Sequence, residues 1–128
     1  MDPRARVERI SGYEHEIRIG SHVVTVDEPV ADGGNDAGAT PYQLMLGAMA
    51  SCTAITLELY AARKGWELGD VAVDCYEDAQ RVIHLDVQVS APLEPAQIDR
   101  LSQLAGKCPV VKSVAQGRVV HETLSVQS

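Results

Sequence analysis

One stretch constrains this chain more than any other: Thr40–Trp66, TPYQLMLGAMASCTAITLELYAARKGW. It opens with helix-start signals. Thr40 can cap, Pro41 suits the first helical position, and Gln43 completes a capping box by reaching back to the Thr40 amide. It closes with stop signals: Arg63 and Lys64 lie against the negative end of the dipole, and Gly65 can take the left-handed C′ conformation. Between them runs a helix of roughly 24 residues, about 36 Å long at ~1.5 Å per residue. Apolar side chains fall on nearly every side of it: Leu44, Met45, Leu46, Met49, Ile55, Leu57, Leu59 and Tyr60, with alanines between. A helix apolar all round belongs in a large core or in a membrane. Gln43, Ser51, Thr53, Thr56 and Glu58 break the run short of the ~18–20 apolar residues a span requires, so no membrane is expected. Cys52 stands at the middle.

The 128 residues are expected to make one domain, 1–128. A compact monomer of that length is roughly 36 Å across. The central helix would then cross the whole globule, and no single sheet could cover all its sides. A second copy of the chain would supply the missing cover, and a homodimer is expected. The net charge of −7 argues against nucleic acid and anionic membrane as partners. MDPRARVERIS lacks the apolar segment of a signal peptide, so the expected context is cytoplasmic. In a reducing compartment the three cysteines are more readily free, catalytic or inert than a structural disulfide framework. The four histidines lie on separate elements with no ligand-like pairing, and no metal site is expected.

Along the chain, Val7–Ile19 reads as an opening strand or pair of strands. Arg18 there falls on the side of Glu14 and Glu16, away from Tyr13, Ile17 and Ile19. Gly20-Ser21 is a two-residue hairpin turn of the II′ kind, returning into HVVTVDE. Residues Asp27–Ala39, DEPVADGGNDAGA, form a loop without periodicity, either the lining of an entrance to the helix or a mobile acidic connector. After the helix come two strands, DVAVDCYE and RVIHLDVQVSA, around a turn at Asp78–Gln80. Ile83, Leu85, Val87 and Val89 should face the core. EPAQIDRLSQLAGK predicts a second helix, with an apolar stripe of Ile98, Leu101, Leu104 and Ala105. CPVVKSVAQG predicts a short third, and RVVHETLSV a closing strand. Strands and helices come in separate runs, so the fold class is α+β.

Each thiol has a bland reading. Cys52 can be a small buried hydrophobe, and Cys75, alternating with Val71 and Val73, a structural one. Cys108 precedes Pro109 and so occupies the cap position of the third helix, where the dipole favours thiolate over thiol. Two thiols within disulfide reach would make an oxidisable couple, one attacking an oxidant and the other condensing with the resulting sulfenic acid. Sequence spacing alone does not bring them together.

The pattern T-P-Y-x-L-x-L-x-A-x-A-x-C-T-A-I-T-L-x-x-Y-A-x-R-K-G-W, followed about 55 residues later by K-C-P-V, resembles the OsmC/Ohr family of osmotically inducible and organic hydroperoxide resistance proteins. The likeness extends from about Tyr13 to Leu124, nearer the general OsmC-like branch. It implies an intertwined homodimer with β-sheets wrapped around two central helices, and thiol chemistry on organic hydroperoxides without metal or prosthetic group. Carried over, Cys52 would be the peroxidatic cysteine and Cys108 the resolving one, with an external dithiol as reductant. Met45, Met49 and Ile55 would give the site an apolar lining suited to a fatty or aromatic hydroperoxide. Family members pair a glutamate with an arginine beside the reactive thiol. Tyr42 stands at the glutamate position here, where its phenol can offer a hydrogen bond, and Arg18 is the upstream arginine. The alternative is an OsmC-like dimer that keeps its cysteines as packing and binds a small apolar ligand.

Overall fold

The structure is a computed structural model that describes residues 3–127; Met1, Asp2 and Ser128, the ends of the expected single domain, lie outside the described residues. The described residues divide into two compact units, with the boundary between Gly47 and Ala48 inside the long helix.

In the first unit, β1 (Arg6–Ser11), β2 (Glu14–Ile19) and β3 (His22–Val26) form an antiparallel sheet in the order β1-β2-β3. Both connections are tight because a glycine takes the left-handed conformation in each, Gly12 at φ 56° and Gly20 at φ 59°. Ser21 has no positive φ, and with Ile19 facing His22 the second turn follows the II′ pattern expected for Gly-Ser.

The loop after β3 is organised by one carboxylate. Asp27 is 1% exposed, and its side chain accepts hydrogen bonds from the amides of Glu28 (2.7 Å), Asn35 (3.1 Å) and Ala37 (3.1 Å). The Asp27 amide in turn donates to Ala39 at 3.2 Å, and Val26 bridges Ala39 in parallel. Two glycines permit this folding-back. A Cβ on Gly34 would strike the Glu28 carbonyl, and one on Gly38 the Thr25 carbonyl. The segment read as aperiodic is thus a loop wrapped on a buried charge.

The long helix, α1, spans Pro41–Lys64. Its capping box forms as expected, with Thr40 N–H donating to Gln43 Oε1 at 2.9 Å and Gln43 N–H to Thr40 Oγ1 at 3.1 Å. At the other end Gly65 adopts φ 69°, its amide donating to Ala62 and that of Trp66 to Ala61, the paired bonds of a Schellman stop. By length and composition α1 is apolar enough to cross a membrane, which corrects the exclusion drawn from its polar interruptions. Its assignment as a core helix rests on the fold rather than on its hydropathy.

In the second unit the inward residues of α1 recur every fourth position: Met49, Thr53, Leu57 and Ala61 are buried. β4 (Val71–Glu77) and β5 (Ile83–Val89) pair antiparallel from Val71↔Val89 to Glu77↔Ile83. Their alternation is as read, with Val71, Val73, Cys75, Leu85, Val87 and Val89 half-buried on one face. α2 (Pro95–Ala105) begins at a second capping box, Glu94 with Gln97. Its Leu101 joins Leu57, Ala61 and Leu68 in the core. Each such leucine contributes about 1.5–3 kcal/mol by leaving water. Ile98, placed on the same stripe by periodicity, stays 50% exposed. α3 covers Pro109–Gln116.

The expected closing strand at Arg118–Val126 does not form. Residues 117–127 have no regular structure, and Val119, Val120, Leu124 and Val126 are 75–96% exposed. A strand exists only beside another whose backbone groups complete its hydrogen bonds, and no described strand lies alongside this segment.

The hydrogen bond from Ala37, with those from Glu28 and Asn35, holds the Asp27 carboxyl below its usual range against the opposing effect of burial, and the charge of His15 lowers it further. The stabilisation is therefore complete above the range where an unfolded aspartate titrates, near 3.9, and is lost as pH falls through the lower folded value. Asp27→Asn is expected to lower the urea midpoint at neutral pH and to flatten the loss of stability below about pH 4. Equal acid limbs in the two chains would contradict this.

Candidate active site

Three elements of chemistry meet in the second unit: the middle of α1, the start of α3, and the two thiols they carry. Cys108 takes the cap position of α3, with extended backbone (φ −68°, ψ 148°), and Pro109 follows as the first helical residue. Its sulfur accepts the Val111 amide at 3.4 Å. Proline gives the helix a pre-set φ and no amide to satisfy, so the sulfur meets the amides that follow.

Cys108 is fully buried, and the Thr53 hydroxyl of α1 lies 3.8 Å from its sulfur. The Cys52 thiol, half-buried on the next position of α1, is also hydrogen-bonded to it. The two cysteines that sequence could not bring together are therefore in contact. Cys75 faces inward from β4, opposite Leu85, and burial pushes its thiol up.

The shared contact polarises the pair. On Cys52, burial and the hydrogen bond with Cys108 push the thiol up, outweighing the Val110 amide and the Thr56 hydroxyl that favour its charge. On Cys108, burial is the largest single influence and also opposes charge. Yet the Cys52 thiol, the Val111 amide, the Thr53 hydroxyl and the Val110 amide together hold Cys108 below its usual range. Negative charge on the pair belongs mainly to Cys108.

Thr53 is the contributor that sequence reasoning passed over. A signal existed: it lies on the four-residue stripe that buries Met49, Leu57 and Ala61, and a hydroxyl on a buried stripe needs a partner.

The other residues singled out from sequence lie as follows. Arg18, in the first unit, is exposed and donates to Glu16 at 3.0 Å, as its strand alternation implied. Tyr42, in the first turn of α1, is 44% exposed, and Met45 is half-buried. Met49 is only 3% exposed and packs inward on the stripe with Thr53. Ile55 is turned outward, 53% exposed. His84 pairs with Asp78 at 2.7 Å and stacks on Tyr76, a cross-strand arrangement that steadies the β4–β5 hairpin. Among the described residues no three His, Cys, Asp or Glu side chains gather as a metal site would require.

The profile of the family described as OsmC-like protein matches residues 33–123, well over half of the chain and including both cysteines of the pair. The chain belongs to the OsmC-like family. Solved structures agree with that assignment. A Psychrobacter arcticus protein named for osmotic stress induction and a detoxification response superposes with a TM-score of 0.76 at 17% identity, over 85% of each chain. An organic hydroperoxide resistance protein, OsmC, from Legionella pneumophila gives 0.61 at 19% identity over 89% of each. One from Elizabethkingia anophelis gives 0.60 at 18%, over 89% of this chain and 88% of that one. At such identities the likeness shows the OsmC-like α+β fold. Among curated proteins, no sequence matches.

The contact makes a covalent prediction. Mild oxidation of this OsmC-like chain is expected to join Cys52 to Cys108, leaving Cys75 free, as read by peptide mapping without reductant. Recovery of both thiols unmodified after oxidation, or a bridge involving Cys75, would contradict the geometry.

Proposed function

We propose that this OsmC-like protein is a thiol-dependent peroxidase that reduces organic hydroperoxides. One observation carries the reading: the contact, in the second unit, between a half-buried thiol on α1 and a fully buried thiol capping α3. The names of the Legionella and Elizabethkingia structures, both organic hydroperoxide resistance proteins, support it.

In this reading the roles follow exposure. Cys52, within reach of solvent, attacks the distal peroxide oxygen. An S–O bond forms, the O–O bond breaks, and the alcohol leaves with a proton while Cys52 becomes a sulfenic acid. The Cys108 sulfur then attacks the Cys52 sulfur and releases water, giving the disulfide. An external dithiol returns both to thiols by exchange. We place this cycle in the cytoplasm, where such reductants are held reduced.

A second copy of the chain completes the proposed enzyme. Ile55 and Leu59, on the outward side of α1, are 53% and 62% exposed. The apolar residues of the segment after α3 have no cover either. We infer a homodimer in which these surfaces are buried and that segment finds a strand partner. The chain is expected to elute and scatter light as a dimer, and charges introduced together at Ile55 and Leu59 should dissociate it. A wild-type monomer at micromolar concentration would rule the dimer out.

A second reading, binding of a small apolar ligand, is favoured by a cavity of 410 Å³ lined by Leu57, Leu85, Val87, Leu93, Ile98 and Leu101 among others. A single-turnover reaction with cumene hydroperoxide and thiol titration separates the two. The peroxidase reading expects Cys52→Ser to abolish consumption, and Cys108→Ser to react once and proceed to sulfinic acid. If neither thiol is consumed faster than free cysteine, the peroxidase reading fails and ligand binding stands.

A further inference from the structure

Positive charge in this acidic chain collects around α3. From Arg100 to His121 the sequence has four Lys or Arg residues and no Asp or Glu. Three of the four, Lys107, Lys112 and Arg118, line a cavity of 340 Å³ together with Pro109, Ser113 and Gln116. Local geometry explains the gathering. Pro109, Lys112, Ser113 and Gln116 recur at helical spacing and so share one face of α3. Gly117 then turns the chain at φ 77°, its amide donating to the Ser113 carbonyl at 2.9 Å, and Arg118 comes back onto the same cavity. No carboxylate lines it. The ion pairs of the described residues join Arg6 to Glu8, Arg18 to Glu16 and His84 to Asp78, all of them elsewhere. Three like charges converge on one concavity, and an anion seated among them would turn their mutual repulsion into attraction.

We propose that this cavity binds a small polyanion, a di- or trianion whose phosphate or carboxylate groups meet the two ammonium groups and the guanidinium. Arg118 can hold one oxyanion through two parallel N–H bonds, while Lys107 and Lys112 act as movable point charges. The Ser113 hydroxyl and the Gln116 amide can donate to the remaining oxygens. At about 30 Å³ per water the cavity has the room of roughly eleven waters, which suits a compact anion of about that many non-hydrogen atoms. A nucleic acid is a poorer fit, because the three charges here leave −10 on the rest of a chain whose net charge is −7. The leucine-lined cavity between α1, β5 and α2 suits an apolar molecule, so the two cavities sort ligands by charge. The polyanion site borders the thiol pair: Lys107 and Pro109 flank Cys108, and the Lys112 amide donates to the Cys108 carbonyl at 3.0 Å. The inference goes beyond the peroxidase reading and stands without it.

The test is calorimetric titration of the full-length chain with sodium pyrophosphate and, separately, with sodium citrate. Ionic strength is held constant with sodium chloride, so that screening does not change along the titration. Saturable one-site binding with Kd below about 1 mM is expected for at least one of the two. Tighter binding of pyrophosphate assigns a phosphate-bearing ligand, and tighter binding of citrate a polycarboxylate. Lys112→Gln keeps the length of the side chain and removes its charge. It should weaken binding by about tenfold or more, the worth of one charge-assisted hydrogen bond. Arg118→Lys, which keeps the charge and loses the fork, should weaken binding less than Arg118→Gln. Lys64→Gln, a change outside the cavity, should leave the affinity as it is. Absence of saturable binding of either anion overturns the proposal, as it would if an acidic group of a second copy already filled the cavity. Equal weakening by Lys64→Gln and Lys112→Gln overturns it too, because the effect would then belong to net charge and not to a site.

Discussion

The Cys108 sulfur holds two jobs in one atom: it caps α3 and it is the point at which α3 meets the polar middle of α1. A buried anion needs several donors, because the low-dielectric surroundings penalise charge by several kcal/mol when it is unmet. Here the first-turn amides of α3 and the Thr53 hydroxyl are the groups that favour charge on this sulfur against its burial. Move the cap by one residue and Pro109 would no longer lead the helix, and the amides would point elsewhere. The arrangement of the thiol pair therefore follows from a local rule of helix initiation. Long-range packing only has to bring α1 alongside.

α1 is the other half of that arrangement. Its four-residue stripe presents Met49, Thr53, Leu57 and Ala61 inward, and Cys52 lies one position off the stripe, hence half-buried. The same geometry leaves Ile55 and Leu59 outward. A helix apolar on all sides cannot be satisfied by one layer, which is why the unmet surface of this chain is as informative as its core.

Features set by local chemistry were legible in the sequence. The capping box at Thr40, the left-handed stop at Gly65, the Gly20-Ser21 turn and the cap at Cys108 all depend on neighbours within a few residues, and each is as the residue pattern implied. So was the β4–β5 alternation, a period-2 signal. What the pattern misjudged depends on partners far along the chain or outside it. Arg118–Val126 alternates like a strand, but alternation names a face and not a neighbour. Asp27 looked like one acid among several in a loop, because nothing local says that two amides from eight and ten residues on, and one adjacent, converge on it. For the candidate site, residue spacing pointed to Cys52 and Cys108 separately. Their union is a tertiary fact, and Thr53 was masked because a threonine in an apolar helix reads as an interruption.

The four donors gathered on Cys108 also bear on the energetics of the proposed cycle, which must return to its start. Groups that favour a sulfur anion favour the dithiol over the bridged form, since a disulfide carries no charge for them to hold. The couple is thereby made more oxidising, in the same sense as in thiol oxidants whose reduced state is the stabilised one. In the proposed cycle a couple built this way would give up its bridge readily to an incoming dithiol. Ease of reset is thus a property of the α3 terminus, set by the same amides that place the sulfur.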